Sequence, residues 1–256
     1  MSSISFFEKG NGQAVILIHG FCETNELWNY FATSLSKDFR VICPNLPGCG
    51  DTLLAGDNSS MEKIALELEA WMEENHLDNP IIIGHSLGGY VTLALLELMA
   101  RKLKAVGLFH STAFADDDSK KGLRDRTVIF LNKHGVDTFV TSFVPPLFSE
   151  DQRDEFKDEI DLAIVQAKNC SLNGLVALTT AMRDRKDRFE ILKAYSGHKL
   201  MIAGIQDGAI KIESSRLQKD AFTDYFELEN TGHMGMIEQK EKTLEIVRKF
   251  CKKAIK

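Results

Sequence analysis

The stretch Ile81-Ile82-Ile83-Gly84-His85-Ser86-Leu87-Gly88-Gly89 decides the fold class. A short, uniformly apolar β-branched run suits a central parallel strand covered on both faces, and the helical segment Leu87 to Lys102 follows it at once. A strand that turns abruptly into a helix forces the intervening serine into strained backbone. Glycines are needed beside it because side chains there would collide with neighbouring backbone. The Ser86 hydroxyl is thereby pushed out above the sheet, next to a helix N-terminus with free amides and a positive dipole end. As a bare string, Gly84-x-Ser86-x-Gly88 also describes a serine in a tight turn. Its place between strand and helix is what favours a nucleophile.

Strand and helix alternate on both sides of this turn. Ile4 to Glu8 and Ala14 to Ile18 are β-prone runs whose connection, Gly10-Asn11-Gly12-Gln13, predicts a hairpin. Leu27, Trp28, Phe31 and Leu35 recur at helical spacing. Arg40 to Cys43 is a strand ending at the Pro/Gly-rich loop Pro44 to Gly50. Ser59 with Glu62 predicts a capping box, ahead of an apolar stripe of Met61, Ile64, Leu68, Trp71 and Met72. Ala105 to Phe109 is the next strand. From about Ala113 to Ser196 only helical patterns follow: Arg124 to His134, Asp151 to Lys168 and Leu172 to Met182. Leu200 to Ala203, Glu213 to Ala221, Tyr225 to Leu228 and Ile237 to Lys253 then resume as strand, helix, strand and helix. Repeated βαβ units predict an α/β fold, a mostly parallel central sheet flanked by helices, with a helical insertion. Its chemistry belongs beyond the carboxyl ends of the strands.

Serine is a poor nucleophile near neutral pH and needs a base. Among seven histidines, His233 lies in a glycine-bearing loop directly after the last predicted strand. His19 and His110 also follow strands and are the rivals, with structural roles as their plainer explanation. His76 and His134 fall near helix ends. The base needs an acceptor for its other ring nitrogen, and Asp207, in the loop Gly204-Ile205-Gln206-Asp207-Gly208, is placed to supply it. An isolated Asp-Gly is otherwise an ordinary turn.

With these residues in view, the chain resembles the α/β-hydrolase superfamily over nearly its whole length. The motifs that carry the resemblance are His19-Gly20-Phe21, Leu46-Pro47-Gly48-x-Gly50, Gly84 to Gly88, Gly204-x-x-Asp207 and Gly232-His233. The resemblance implies the chain order nucleophile, acid, histidine in Ser86, Asp207 and His233. It also implies an oxyanion hole from the backbone N–H groups of Phe21 and Leu87, with His19 shaping that loop. It implies a core of residues 1–112 and 197–256 and a helical cap over 113–196. Phe143, Leu147, Phe148 and Met182 would then be pocket walls from the cap, with Cys22 and Met234 below them. Relatives often carry Asp where Asn45 stands, and often Pro within Ile210 to Glu213; this chain departs at both.

The implied reaction is acyl transfer on a small to medium carboxylic ester, with no cofactor and no metal. Thioester, lactone and carbon-carbon bond hydrolysis use the same three groups, and haloperoxidase-type side activity would reuse the same serine. A receptor-like protein that captures a small ligand with little turnover is the alternative of another class. A serine at position 86 disfavours relatives whose nucleophile is aspartate.

The totals narrow the partners. A chain of 256 residues, 44% hydrophobic and 27% charged, has the composition of a globular domain rather than a disordered one. The net charge of −6, with basic residues interleaved among acids as in Arg183 to Arg188, argues against a nucleic-acid partner. Five cysteines without CxxC or Cys/His metal spacing argue against a disulfide framework and a structural zinc. Glu8-Lys9 precedes any long apolar run, so neither a signal peptide nor a membrane span of about 20 apolar residues is expected, and the expected location is the cytoplasm. Oligomeric state is not legible.

Overall fold

A computed structural model describes residues 4–54, 56 and 60–256. Seven strands form one sheet in the order β1-β3-β2-β4-β5-β6-β7. They are β1 (Phe6–Lys9), β2 (Ala14–Ile18), β3 (Arg40–Pro44), β4 (Ile81–His85), β5 (Ala105–Phe109), β6 (His198–Gly204) and β7 (Asp224–Leu228). All neighbours pair in parallel except β1 with β3.

The first two strands do not form the expected hairpin. β1 is antiparallel, but its partner is β3, with Phe7 opposite Cys43. Burial explains the choice. Every residue of β2 is buried, so it takes covered neighbours on both sides, β3 and β4, whereas β1 is mostly exposed and suits the edge. Because β3 and β4 flank β2 on opposite sides, the loops leaving β2 and β4 diverge, opening a crevice at the carboxyl end of the sheet.

The helix after β4, α3 (Leu87–Met99), is buried on nearly every side, as its continuous apolar sequence requires. Around the sheet lie α1 (Asn29–Leu35), α2 (Met61–Glu74), α8 (Ile212–Leu217), α9 (Gly235–Glu238) and α10 (Lys240–Ala254). Ser60 caps α2, its side chain accepting the Lys63 N–H, while the expected cap Ser59 lies outside the described residues. The closing segment is two helices, parted at Gln239; α10 turns Leu244, Val247, Phe250 and Cys251 inward at helical spacing.

Residues between β5 and β6 form α4 (Asp118–Phe143), α5 (Lys157–Ala167), α6 (Leu172–Asp184) and α7 (Phe189–Ala194), with no strand among the described residues. α4 is interrupted at Gly135, whose φ of 78° and ψ of 174° leave the helical region. This helical segment docks on the loop after β3. Ser171 N–H donates to the Gly48 carbonyl at 2.7 Å, and a side chain on Gly174 would meet Gly48 Cα at 2.6 Å.

The tightest steric constraint is the strand-to-helix turn itself. A Cβ on Gly84 would lie 2.1 Å from the Gly88 carbonyl carbon and oxygen, which are backbone and cannot step aside. Gly84→Ala is therefore expected to lose about 3 kcal/mol or more of unfolding free energy in urea denaturation; a loss under about 0.5 kcal/mol would contradict this packing.

Candidate active site

Ser86 bridges β4 and α3 with φ 49° and ψ −114°, a conformation that L residues avoid. The surroundings hold it there. Its N–H donates to the Phe109 carbonyl at 2.9 Å, and its carbonyl accepts from Ser111 Oγ at 2.7 Å and from Gly89 N–H at 2.9 Å. Leu87, the first residue of α3, has no acceptor one turn back within the helix for its N–H.

Asp207 and His233, 26 positions apart, meet at 2.7 Å between Oδ2 and Nδ1. Asp207 is buried, and its other oxygen accepts the N–H groups of Ala209 and Ile210 at 2.8 and 2.9 Å. A proline at 210, within the stretch where relatives often carry one, would remove a donor that holds the carboxylate. Burial alone would push the Asp207 carboxyl up, but the charge of the His233 ring and the hydrogen bond from it bring it well below the usual range. Burial pushes His233 down, and the Asp207 charge and hydrogen bond, with smaller pulls from Glu23 and Glu238, overcome this and raise it.

The rival histidines are otherwise engaged. His19 Nδ1 lies 2.8 Å from the Gly20 carbonyl, and its Nε2 accepts the Leu46 N–H at 2.9 Å, so this ring pins two loops together. His110 Nδ1 lies 3.2 Å from Asp207 Oδ2 but also accepts the Gly204 N–H at 3.1 Å. A nitrogen that accepts an N–H carries no proton to give, so His233 is the ring that donates to Asp207. Burial pushes His110 down to about 4, against the pull of Asp207. His110, Asp207 and His233 stand close together, but His110 Nδ1 already accepts the Gly204 N–H, which leaves it no lone pair for a cation.

Ser86 and His233 line one cavity of about 410 Å³, with Phe21, Glu23, Tyr90, Phe143, Leu147 and Met182 among its walls. No direct hydrogen bond joins the Ser86 and His233 side chains among the described residues. Of the expected wall residues, Phe143, Leu147 and Met182 stand on this cavity, and Phe21 packs edge-on against Phe143 with centroids 5.5 Å apart. Cys22 and Met234 instead line a neighbouring cavity of about 650 Å³, which shares Glu23 and Leu147 with the first. Phe148 lines neither; it is buried and packs near Phe156. Asn45 accepts the Asn25 N–H and donates to Ser5 Oγ, a double role that an aspartate could not fill.

Two carboxylates at the site had no sequence signal pointing to them. Glu238, on α9, accepts the N–H groups of Ser149, Gly232 and Met234 at 2.8 to 3.0 Å, which fixes the His233 loop against the segment 147–149. His233 N–H donates to the Leu147 carbonyl in the same place. Glu23 lies buried beside His85, whose ring is 4.8 Å from that of His233, centroid to centroid.

Comparison with known proteins agrees with this architecture. The model of the alpha/beta hydrolase family matches residues 15–246. Lipase 1 of Psychrobacter immobilis is 24% identical, the match covering 96% of this chain and 79% of that protein. The dihydrolipoyllysine-residue acetyltransferase component of the acetoin cleaving system of Pseudomonas putida is 23% identical, covering 98% of this chain and 67% of that protein. Among solved structures, a thermophilic esterase from Thermogutta terrifontis aligns with a TM-score of 0.91 at 24% identity, over 98% of this chain and 93% of that one. The enol-lactonase of Burkholderia xenovorans LB400 aligns with a TM-score of 0.89 at 18% identity, over 97% and 96%. The chain belongs to the alpha/beta hydrolase family. No helix among the described residues is long and apolar enough to cross a membrane.

Removing the Asp207 charge leaves burial as the dominant influence on His233. Asp207→Asn should therefore lower the His233 pKa, followed through its ring Cε1–H chemical shift against pH. An unchanged titration would contradict the assigned pairing.

Proposed function

We propose that the protein is a serine hydrolase that cleaves small to medium carboxylic esters through an acyl-enzyme on Ser86. The observation that carries this reading is the buried Asp207–His233 pair, whose imidazole lines the same cavity as a serine in left-handed backbone at a strand-to-helix turn. With its Nδ1 proton held by Asp207, His233 has Nε2 free to take the Ser86 proton as the oxygen attacks the carbonyl. A substrate-free site need not show that last hydrogen bond, since such contacts tighten on substrate binding.

The developing oxyanion would be held by the backbone N–H groups of Phe21 and Leu87, one donor of this kind being worth about 3 kcal/mol in the transition state. His233 then returns the proton to the leaving alcohol and activates water to release the acyl group. The balance is one water consumed for one acid and one alcohol formed. The helices over 113–196 would act as a cap, with Phe143, Leu147 and Met182 as its contribution to the walls. Lactones belong in the same screen, because the enol-lactonase of Burkholderia xenovorans shares the fold.

A panel of esters of graded acyl length, with thioesters and lactones alongside, is expected to show hydrolysis that Ser86→Ala abolishes. A fluorophosphonate should label the wild type and not the variant; equal labelling of both would overturn the assignment. His233 is raised by its neighbours, and only its unprotonated form accepts the serine proton. Activity should thus be full above the His233 pKa and fall as pH drops through it. A rate flat from neutral to mildly acidic pH would contradict the role of His233. Stoichiometric labelling with no turnover of any panel member would favour a ligand-binding protein instead.

A further inference from the structure

Beneath the proposed triad lies a second carboxylate–imidazole pair. Glu23 Oε2 accepts the Gly20 N–H, one residue before Phe21, and lies 2.9 Å from His85 Nδ1. The other nitrogen of that ring, Nε2, lies 3.0 Å from the carbonyl oxygen of His233 itself. The ring of His85 is fully buried and Glu23 is nearly so, while Glu23 also lines the cavity that holds Ser86. A side chain on Gly20 would stand 2.8 Å from both Glu23 Oε2 and His85 Nδ1, so only glycine lets the loop close onto the pair.

We infer that Glu23 and His85 are positioning residues that tie three otherwise separate segments into one frame: the loop carrying the Phe21 amide, the turn carrying Ser86, and the loop carrying His233. This rests on the triad reading above. Both partners of the ring are acceptors, a carboxylate oxygen and a carbonyl oxygen, so an imidazole bonded to both donates from each nitrogen. Such a ring acts as a fixed spacer between the two loops. A buried carboxylate is tolerated there because the ring and the Gly20 N–H offset its lost hydration. Burial pushes the Glu23 carboxyl up, yet the charge and hydrogen bond of His85, with His19 and Gly20, bring it below its ordinary value.

The pair also sets the field at the base. The titratable or charged groups around His233 are Asp207 after β6, His110 after β5, His85 at the end of β4, Glu23 after β2 and Glu238 on α9. Lys120 and Arg124 of α4 stand on the same cavity. Glu23 is among the groups that raise His233, so its neutralisation lowers the base. A merely structural pair would change stability and leave the pH profile of the folded enzyme where it was.

The test is Glu23→Gln, assayed with the best ester of the panel across pH. In folded Glu23→Gln, kcat should fall about tenfold or more with KM within about threefold, because oxyanion donor and base are displaced together. The acid limb should also move to lower pH. In folded protein, kcat within about twofold of wild type, or a fall with the acid limb unmoved, overturns the proposal. Should the variant fail to fold, nitrogen-resolved NMR of the wild-type His85 ring decides: protons on both ring nitrogens support it, and a proton on one alone overturns it. Fluorophosphonate labelling of Ser86 in the wild type separates the two levels. A wild type that hydrolyses esters without labelling at Ser86 refutes the triad reading, whereas normal labelling with an unaffected Glu23→Gln refutes only the clamp.

Discussion

Everything at the candidate site depends on one close approach of backbone to backbone. The N-terminus of α3 lies so near the end of β2 that a Cβ on Gly88 would stand 2.5 Å from the Ile18 carbonyl oxygen and 2.6 Å from that of His19. With Gly84 packed as closely against Gly88, the chain between them leaves Ser86 in the left-handed region. One steric constraint thus presents the hydroxyl and brings the Leu87 amide to the same end of the sheet as the Phe21 loop. Cys22, His110 and Asn230 also have positive φ, and all follow strands at that end. Strain gathers where the side chains must leave the sheet at unusual angles.

On this scaffold three buried carboxylates are held by different donors. Asp207 takes two N–H groups on one oxygen and His233 on the other. Glu238 takes three N–H groups and fixes the His233 loop. Glu23 joins the Gly20 amide to the His85 ring. An unpaired carboxylate at such depth would cost several kcal/mol, so each one commits nearby loops to a single arrangement. Three imidazoles stand around the centre, and their hydrogen bonds differ enough to part their roles. His110 accepts an N–H and is held neutral, His85 spans two acceptors, and His233 meets Asp207 through Nδ1 while lining the cavity.

Much of this was legible before any coordinates, because local rules and the tertiary fold agree. The run Ile81 to Ile83 followed by Gly84-x-Ser86-x-Gly88 specifies strand, turn and helix through sterics alone, and the three helical patterns between Ala113 and Ser196 correspond to α4, α5 and α6, whereas the short α7 had no pattern of its own. Sheet order was not legible: Gly10 to Gln13 has hairpin chemistry, but the burial demands of β2 place β3 beside it and send β1 to the edge. Loop position and the family resemblance pointed to Ser86, Asp207 and His233, and the structure brings Asp207 and His233 to 2.7 Å. Glu23 escaped notice because its partner His85 is 62 positions away and a single glutamate in a loop has no pattern. Cys22 and Met234 show the same limit from the other side: proximity in sequence to Phe21 and His233 did not settle which of two adjoining cavities they face.

The central claim is that a substrate carbonyl bonds covalently to Ser86, and the most direct measurement is acid quenching during turnover of an activated ester, followed by peptide mass spectrometry. The peptide containing Ser86 should gain the mass of the acyl group within the first turnover, and lose it as substrate is exhausted. Continued hydrolysis with no acylated peptide, or with the acyl group on a different residue, would contradict the account.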